Sequence, residues 1–178
     1  GLIDSTITIG NAFGGDYECI NIYTGLITAK EIAKADVVFV SMGPGIAGTG
    51  TKYGFTGIEQ GQILDAVKKL GGNPIAIPRI SFADKRDRHQ GISHHSITVF
   101  DKIVNVDVNI PITIYESQKL NKIKEQIKEN KLDEKHNIIF IENNKCKEDL
   151  EYFGLKVKSM GRNYDEDSEF FDSASSAA

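Results

Sequence analysis

The sequence has 178 residues, of which 40% are hydrophobic and 26% are charged, as expected for a globular protein with one hydrophobic core. A formal net charge of −4 argues against nucleic acid as a partner, because a phosphate-binding face is normally basic. No apolar run reaches the roughly 18 residues of a membrane span, so no membrane association is expected. Two distant cysteines, Cys19 and Cys146, form no CxxC pair, which favours a reducing, cytoplasmic location.

The first half of the chain alternates between short apolar runs and helical patterns. Alternating residues around the glycine-rich turn 11–16 predict a hairpin or a pair of short strands over residues 6–9 and 17–22. Thr24 is predicted to cap a helix that runs to Ala35. A strand at residues 36–41 would be apolar on both faces, which predicts a central, buried, parallel strand.

The same alternation continues to the end of the chain. A helix is predicted from Ile58 to Leu70, with Gly71 and Gly72 at its end, and Ser93 is predicted to be the N-cap of a later helix. The other predicted elements are strands at 74–77, 106–114, 137–141 and 155–159, and helices at 118–130 and 145–153. This order predicts an α/β fold with three layers, a mostly parallel sheet with helices on both faces, in a Rossmann-like topology. Residues 1–171 are expected to form a single domain, followed by a frayed Ser/Ala-rich tail at 172–178.

Ligands of an open α/β sheet bind beyond the carboxyl ends of its strands, which directs attention to the loops 43–57, 78–93 and 160–167. The first loop contains Gly43-Pro44-Gly45-Ile46-Ala47-Gly48, a formal GxGxxG match, but the internal proline and later glycines weaken a dinucleotide interpretation. The order Thr51-Lys52 excludes a P-loop. The remaining interpretation is an anion-binding loop, and the alternative is a loop that needs glycine for backbone reasons alone. The ligand-binding residues predicted in it are Gly43, Gly45, Gly48, Thr49, Gly50, Thr51 and Lys52.

The second loop carries most of the chemistry. Arginine forks match phosphate and carboxylate oxygens, and neutral imidazoles at a helix start can act as bases or metal ligands. Predicted ligand-binding residues here and in the third loop are Arg79, Arg86, Arg88, His95 and Arg162; predicted catalytic residues are His94, His89, Asp84 and Asp87. Asp84 or Asp87 would orient a histidine, and a divalent metal of unknown identity would be the cofactor in a metal-dependent variant of this hypothesis. The alternative is a structural role for the three histidines.

Two acids in the third loop, Asp165 and Asp167, admit two interpretations. Their carboxylate oxygens suit a divalent cation, whereas their position suits the acidic first turn of a helix that begins near Asp167.

Several composite motifs resemble a known family. They are Gly14-Gly15-Asp16, the run 42–57, Pro78-Arg79-Ile80-Ser81, Ser93-His94-His95, and Met160-Gly161-Arg162 with Phe170-Phe171. Together they resemble, over nearly all of the chain, the C-terminal portion of an uncharacterised bacterial family, domain of unknown function 3866. The resemblance implies a preceding N-terminal portion, in keeping with a start at Gly1 rather than Met. It implies no activity, cofactor or catalytic residue.

The leading hypothesis is an enzyme that binds a small phosphorylated or otherwise anionic metabolite at the carboxyl edge of the sheet. One alternative is a non-catalytic ligand-sensing or interaction domain, and a weaker one is an NAD(P)-dependent oxidoreductase. The expected partners are a small anionic ligand and, if the protein is a homo-oligomer, further copies of the chain.

Overall fold

The computed structural model describes residues 2–43, 45–142 and 145–177, and helices and strands alternate along it. The strands are β1 (Ile7–Ile9), β2 (Tyr17–Cys19), β3 (Ile80–Ser81), β4 (Gly91–Ile92), β5 (Asn109–Thr113) and β6 (Asn137–Ile141). The helices are α1 (Ile22–Ile27), α2 (Glu59–Lys69), α3 (His94–Thr98), α4 (Ser117–Glu129), α5 (Leu132–Lys135), α6 (Cys146–Tyr152) and α7 (Ser168–Ser175). Within the described ranges, none of the helices combines the length and the apolar character needed to cross a lipid bilayer.

Strands of the described residues pair as three two-stranded sheets. The pairs are β1 with β2 in parallel, β3 with β4 antiparallel, and β5 with β6 in parallel. Ile75 adds a parallel bridge to Asn109, so the segment before Arg79 runs alongside β5 on the side opposite β6. The mixture of helices and parallel strands agrees with an α/β class. The described strands do not form one continuous sheet.

The hydrophobic core lies around β5. Ile110 and Ile112 of this strand are fully buried within the core. The other core residues here come from the π-helical segment Val99–Ile103, which follows α3, and from α4 and α5; they are Val99, Phe100, Ile123, Ile127 and Leu132. Burying side chains of this size stabilises the folded protein by about 1.5 to 3 kcal/mol each.

The segment predicted to be the central strand lies on the surface. The exposed fractions of Val37, Val38, Phe39 and Val40 are 72%, 44%, 73% and 41%, and no strand is formed at residues 36–41. An apolar run is buried as a strand only if neighbouring strands satisfy its backbone groups, and none of the described strands pairs with it. Likewise, residues 155–159 contain only a bridge from Ser159 to Arg162.

Two predictions for the first forty residues also need correction. β1 and β2 are a pair of short strands as predicted, but they are parallel, so the hairpin alternative is wrong. Helix α1 begins earlier than predicted, because Asn21 is its N-cap and accepts a hydrogen bond from the backbone N–H of Thr24. Thr24 is therefore at position N3 of a capping box.

The predictions for α2, α4, α6 and β6 agree with the structure to within one residue. The strand predicted at 106–114 is the shorter β5, and the strand predicted at 74–77 is reduced to the bridge of Ile75. Helix α2 ends before Gly71, which adopts φ +81° as a residue after a helix end often does. β6 has the predicted bounds, and helices α4 and α6 differ from prediction by one residue at each end. In the segment predicted to be a frayed tail, α7 continues to Ser175 because Ser173 is buried and donates a hydrogen bond to the Pro78 carbonyl oxygen.

Candidate functional site

The polar loop between β3 and β4 is fixed at both ends. β3 and β4 pair antiparallel, and the backbone N–H of Ser93 donates to the Arg79 carbonyl oxygen at 2.8 Å. Gln126 of α4 continues the pairing beyond β4, since its side-chain amide accepts from Ile92 N and donates to the Ile92 and Gln90 carbonyl oxygens. The loop that carries the predicted catalytic residues is therefore fixed by hydrogen bonds between β3 and β4 and to Gln126 of α4.

Three histidines form one cluster at this loop. The ring centroids of His94 and His95 are 4.0 Å apart, and the His89 ring lies 4.9 Å from His94 and 5.7 Å from His95. Ser93, the N-cap of α3 as predicted, accepts a hydrogen bond from His95 N, and its hydroxyl lies 3.3 Å from His89 Nδ1. Residues 94 and 95 thus occupy the first turn of α3, as the sequence predicts.

Burial favours the neutral form of these three histidines. Burial lowers the pKa of all three imidazoles, and for His89 the value falls to about 4. The positive charges of Arg86 and Arg88 act in the same direction on His94. A neutral imidazole has one nitrogen free to accept a proton, which a general base requires.

Asp84 binds an arginine rather than a histidine. Its carboxylate accepts from Arg86 Nε at 3.0 Å and from Arg86 Nη2 at 2.8 Å, in the bidentate geometry typical of such pairs. These hydrogen bonds hold the pKa of the Asp84 carboxyl well below its usual range. Arg79 Nη2 lies 3.9 Å from the same carboxylate. Asp84 therefore positions two arginines, and the structure places its side chain in no hydrogen bond to a described histidine.

A second buried carboxylate, Asp167, joins the third loop to β3. Asp167 accepts hydrogen bonds from the Ser81 hydroxyl at 2.8 and 3.0 Å and from Arg162 Nε at 3.0 Å. A tight turn brings Arg162 there, because Met160 and Gly161 both adopt positive φ and Ser159 bridges to Arg162. Burial lowers the pKa of the Arg79 guanidinium, and the negative charge of Asp167 opposes this effect.

All four arginines of the chain lie in or near this site. Arg79 and Arg162 share Asp167 as a nearby anion, and Arg79 and Arg86 share Asp84. Arg88 is exposed and forms no ion pair with any other described residue, and its charge acts on His94 and His95. Three buried nitrogens at this site have no hydrogen-bond partner within the described part of the chain: Arg79 Nη1, Arg162 Nη2 and His94 Nε2.

The glycine-rich loop reaches the site through Phe55. Gly48 bridges to Phe55, and the Phe55 ring stacks on His95 with centroids 4.3 Å apart. The hydrogen bonds of the Thr49 and Thr51 side chains stay within the loop, and Lys52 Nζ lies over the Tyr53 ring. Of the remaining predicted ligand residues, Gly43 is exposed, as are Gly45 and Gly50, both with positive φ. These contacts bring Phe55, rather than the loop amides, to the histidines.

The residues that the structure describes do not provide a set of ligands for the predicted divalent metal. Within 2–43, 45–142 and 145–177, no three His, Cys, Asp or Glu side chains are arranged to hold an ion. Asp165 and Asp167 do not converge, because Asp165 pairs with Lys147 at 2.7 Å while Asp167 pairs with Arg162. Asp87 lies exposed in the short 3₁₀ helix Asp87–His89.

Three residues of the candidate site, Ser81, Phe55 and Gln126, are not among the residues predicted from the sequence. Ser81 and Phe55 lie within the predicted loops 78–93 and 43–57, so their position in the sequence could have identified them. Gln126 lies in a charged helix far along the chain, and no local pattern distinguishes it from its polar neighbours.

Comparison with known proteins gives one match. The model of a family described as "Protein of unknown function (DUF3866)" matches residues 1–178, the whole chain. Neither a curated protein nor a solved structure matches the sequence.

Proposed function

Given that the chain belongs to the DUF3866 family, whose description assigns no activity, we propose from the site itself that this protein is an enzyme acting on a small phosphorylated or otherwise anionic metabolite. The observation that carries the proposal is the grouping of four arginines around three clustered histidines whose neutral form is favoured by burial. Arginines bind oxyanions as planar forks, and neutral histidines transfer protons near pH 7.

In this proposal each residue has a distinct task. Arg79 and Arg162 bind the anion through Nη1 and Nη2, respectively, which are buried and have no hydrogen-bond partner among the described residues. The exposed Arg88, which makes no ion pair within the described part of the chain, adds a third guanidinium. His94 takes or gives the proton, because its Nε2 atom is buried and makes no hydrogen bond to a described residue. His89 is a positioning residue, since its ring contacts His94 and its Nδ1 lies beside the Ser93 hydroxyl.

The location of the site is part of the proposal. Arg79 follows a segment that bridges in parallel to β5, so the arginines lie beyond its carboxyl end, where α/β proteins bind ligands. The parallel order of this segment, β5 and β6 supports a three-layer, Rossmann-like arrangement. We further propose a single domain over residues 1–171, because the buried hydrophobic residues form one core cluster. The two free cysteines support the proposal of a cytoplasmic location.

A thermal-shift panel tests the proposal. The ligands are sugar phosphates, nucleotides, dinucleotides and carboxylates, each with and without a divalent metal. A ligand at a hundred times its dissociation constant adds about 2.7 kcal/mol, which raises the melting temperature of a protein of this size by roughly 5 to 10 °C. The Arg88→Ala variant should lose most of this shift without a change in its own melting temperature, because Arg88 is exposed and forms no ion pair with a described residue.

His94→Asn separates an enzyme from a ligand sensor. Because His94 Nε2 makes no hydrogen bond to a described residue, the variant should melt within about 2 °C of the wild type and keep its ligand shift. Turnover of the ligand found in the panel should fall at least a hundredfold. Unchanged turnover in His94→Asn would refute the role of His94, and a panel without any hit would refute the binding site.

A further inference from the structure

The charge balance of the site identifies the class of anion that it takes. We propose that the ligand is a phosphomonoester carrying two negative charges, rather than a carboxylate or a phosphodiester carrying one. This inference rests on the proposed function, since it assumes that the arginine cluster is a binding site, and it makes that function specific.

The charges that meet at the site do not cancel. The guanidinium groups of Arg79, Arg86 and Arg162 lie near the two buried carboxylates of Asp84 and Asp167, each of which already accepts hydrogen bonds from an arginine. The exposed Arg88 adds a fourth positive charge, which acts on His94 and His95. Burial favours the neutral form of the three histidines. Lys85 and Asp87, both exposed on the same loop, carry opposite charges that cancel. The four arginines and two buried carboxylates therefore leave two positive charges. A ligand with two negative charges neutralises them, whereas a single carboxylate leaves one cation uncompensated.

The hydrogen-bond donors left over fit the same ligand. Asp84 occupies Nε and Nη2 of Arg86, and Asp167 occupies Nε of Arg162. Arg79 Nη1 and Arg162 Nη2 remain buried without a described partner, and the guanidinium of Arg88 makes no ion pair among the described residues. Three separate donors suit the three terminal oxygens of a phosphomonoester, while a planar carboxylate offers only two.

The test compares four small anions by isothermal titration calorimetry at pH 7.5 and low salt. Methyl phosphate and inorganic phosphate carry about two charges there, and dimethyl phosphate and acetate carry one. We expect the two dianions to bind at least tenfold more tightly than the two monoanions. Arg88→Ala should weaken methyl phosphate at least tenfold, whereas Lys122→Ala, an exposed cation on α4, should leave its affinity unchanged.

A second titration at pH 5 identifies the ligand's charge as the cause. Methyl phosphate becomes mainly a monoanion below its second pKa of about 6, so its advantage over dimethyl phosphate should disappear. The groups that face the ligand are Arg79, Arg86, Arg88, Arg162, Asp84, Asp167 and the three histidines. Protonation of a histidine would strengthen anion binding, which is the opposite sign, so a loss of affinity at pH 5 must come from the ligand.

The outcomes separate this inference from the proposed function. Equal affinities for acetate and methyl phosphate at pH 7.5, both weakened by Arg88→Ala, would overturn the charge argument and leave an anion site in place. Affinities that Arg88→Ala does not change would assign the binding to another surface and overturn both. No binding of any of the four anions would likewise overturn both.

Discussion

Replacing Asp167 by Asn removes the negative charge that holds Arg162 and Ser81 together and keeps the size of the side chain. The Asp167 side chain is fully buried and accepts hydrogen bonds at 2.8, 3.0 and 3.0 Å, two from Ser81 and one from Arg162. Breaking a buried ion pair by removing one partner costs about 3 to 5 kcal/mol. Because Arg162 keeps 24% of its side chain in solvent, we expect a loss of about 2 to 3 kcal/mol.

Urea unfolding measures this loss. With a slope of about 2 kcal/mol per molar urea, the midpoint should fall by about 1 to 1.5 M while the slope stays constant. Asp165→Asn is the matched control two residues away, since Asp165 pairs with Lys147 in solvent, where ion pairs contribute little to stability. Asp167 is also the N-cap of α7, but Asn caps a helix as well as Asp does, so capping does not confound the comparison. Equal losses in the two variants would refute the role of Asp167 as the buried counter-charge.

Two further predictions concern the loop that carries the histidines. Gly91→Ala should destabilise the protein by roughly 2 kcal/mol more than Gly71→Ala in urea unfolding. Both glycines have positive φ, but a Cβ at Gly91 would collide with the Gln126 side chain, whereas a Cβ at Gly71 meets open space. Equal losses in the two variants would show that Gln126 moves aside freely. For His89, the folded pKa of about 4 lies below the unfolded value of about 6.5, so its contribution to stability is complete above pH 6.5 and is lost as the pH falls toward 4. The wild type should therefore lose up to about 3 kcal/mol more than His89→Gln between pH 7 and pH 4.5, and parallel pH profiles would contradict the shifted pKa.

The later elements could be predicted because their signals are local. Helix α4 follows from an apolar stripe that includes Ile123 and Ile127, both of which are buried, and α3 follows from Ser93 as its N-cap. The loop 78–93 can be predicted for the same reason, because a polar segment that directly follows a short apolar run is a local sequence pattern. Its approximate position beyond a parallel strand needed only the order of neighbouring elements.

The incorrect predictions concern features that depend on contacts between residues distant in sequence. The run 36–41 has the composition of a central strand, but its burial requires adjacent strands, and Val37 and Phe39 are more than 70% exposed here. The direction of β2 relative to β1 also escapes the sequence, because a glycine-rich connection permits parallel and antiparallel pairing alike. The capping choice between Asn21 and Thr24 was local, but both residue types serve either position.

The sequence by itself determined the residue types and two segments of the candidate site, and the bounds of α2, α4 and α6 to within one residue, because propensity, capping and hydrophobic periodicity act over a few residues. Only the tertiary structure decided the pairing within the site. It assigned Asp84 to Arg86 rather than to a histidine, and it joined Asp167 to Ser81 across 86 positions of the chain. Charges and hydrogen-bond donors act through space over a few ångströms, so their partners depend on how the core packs and not on their spacing along the chain.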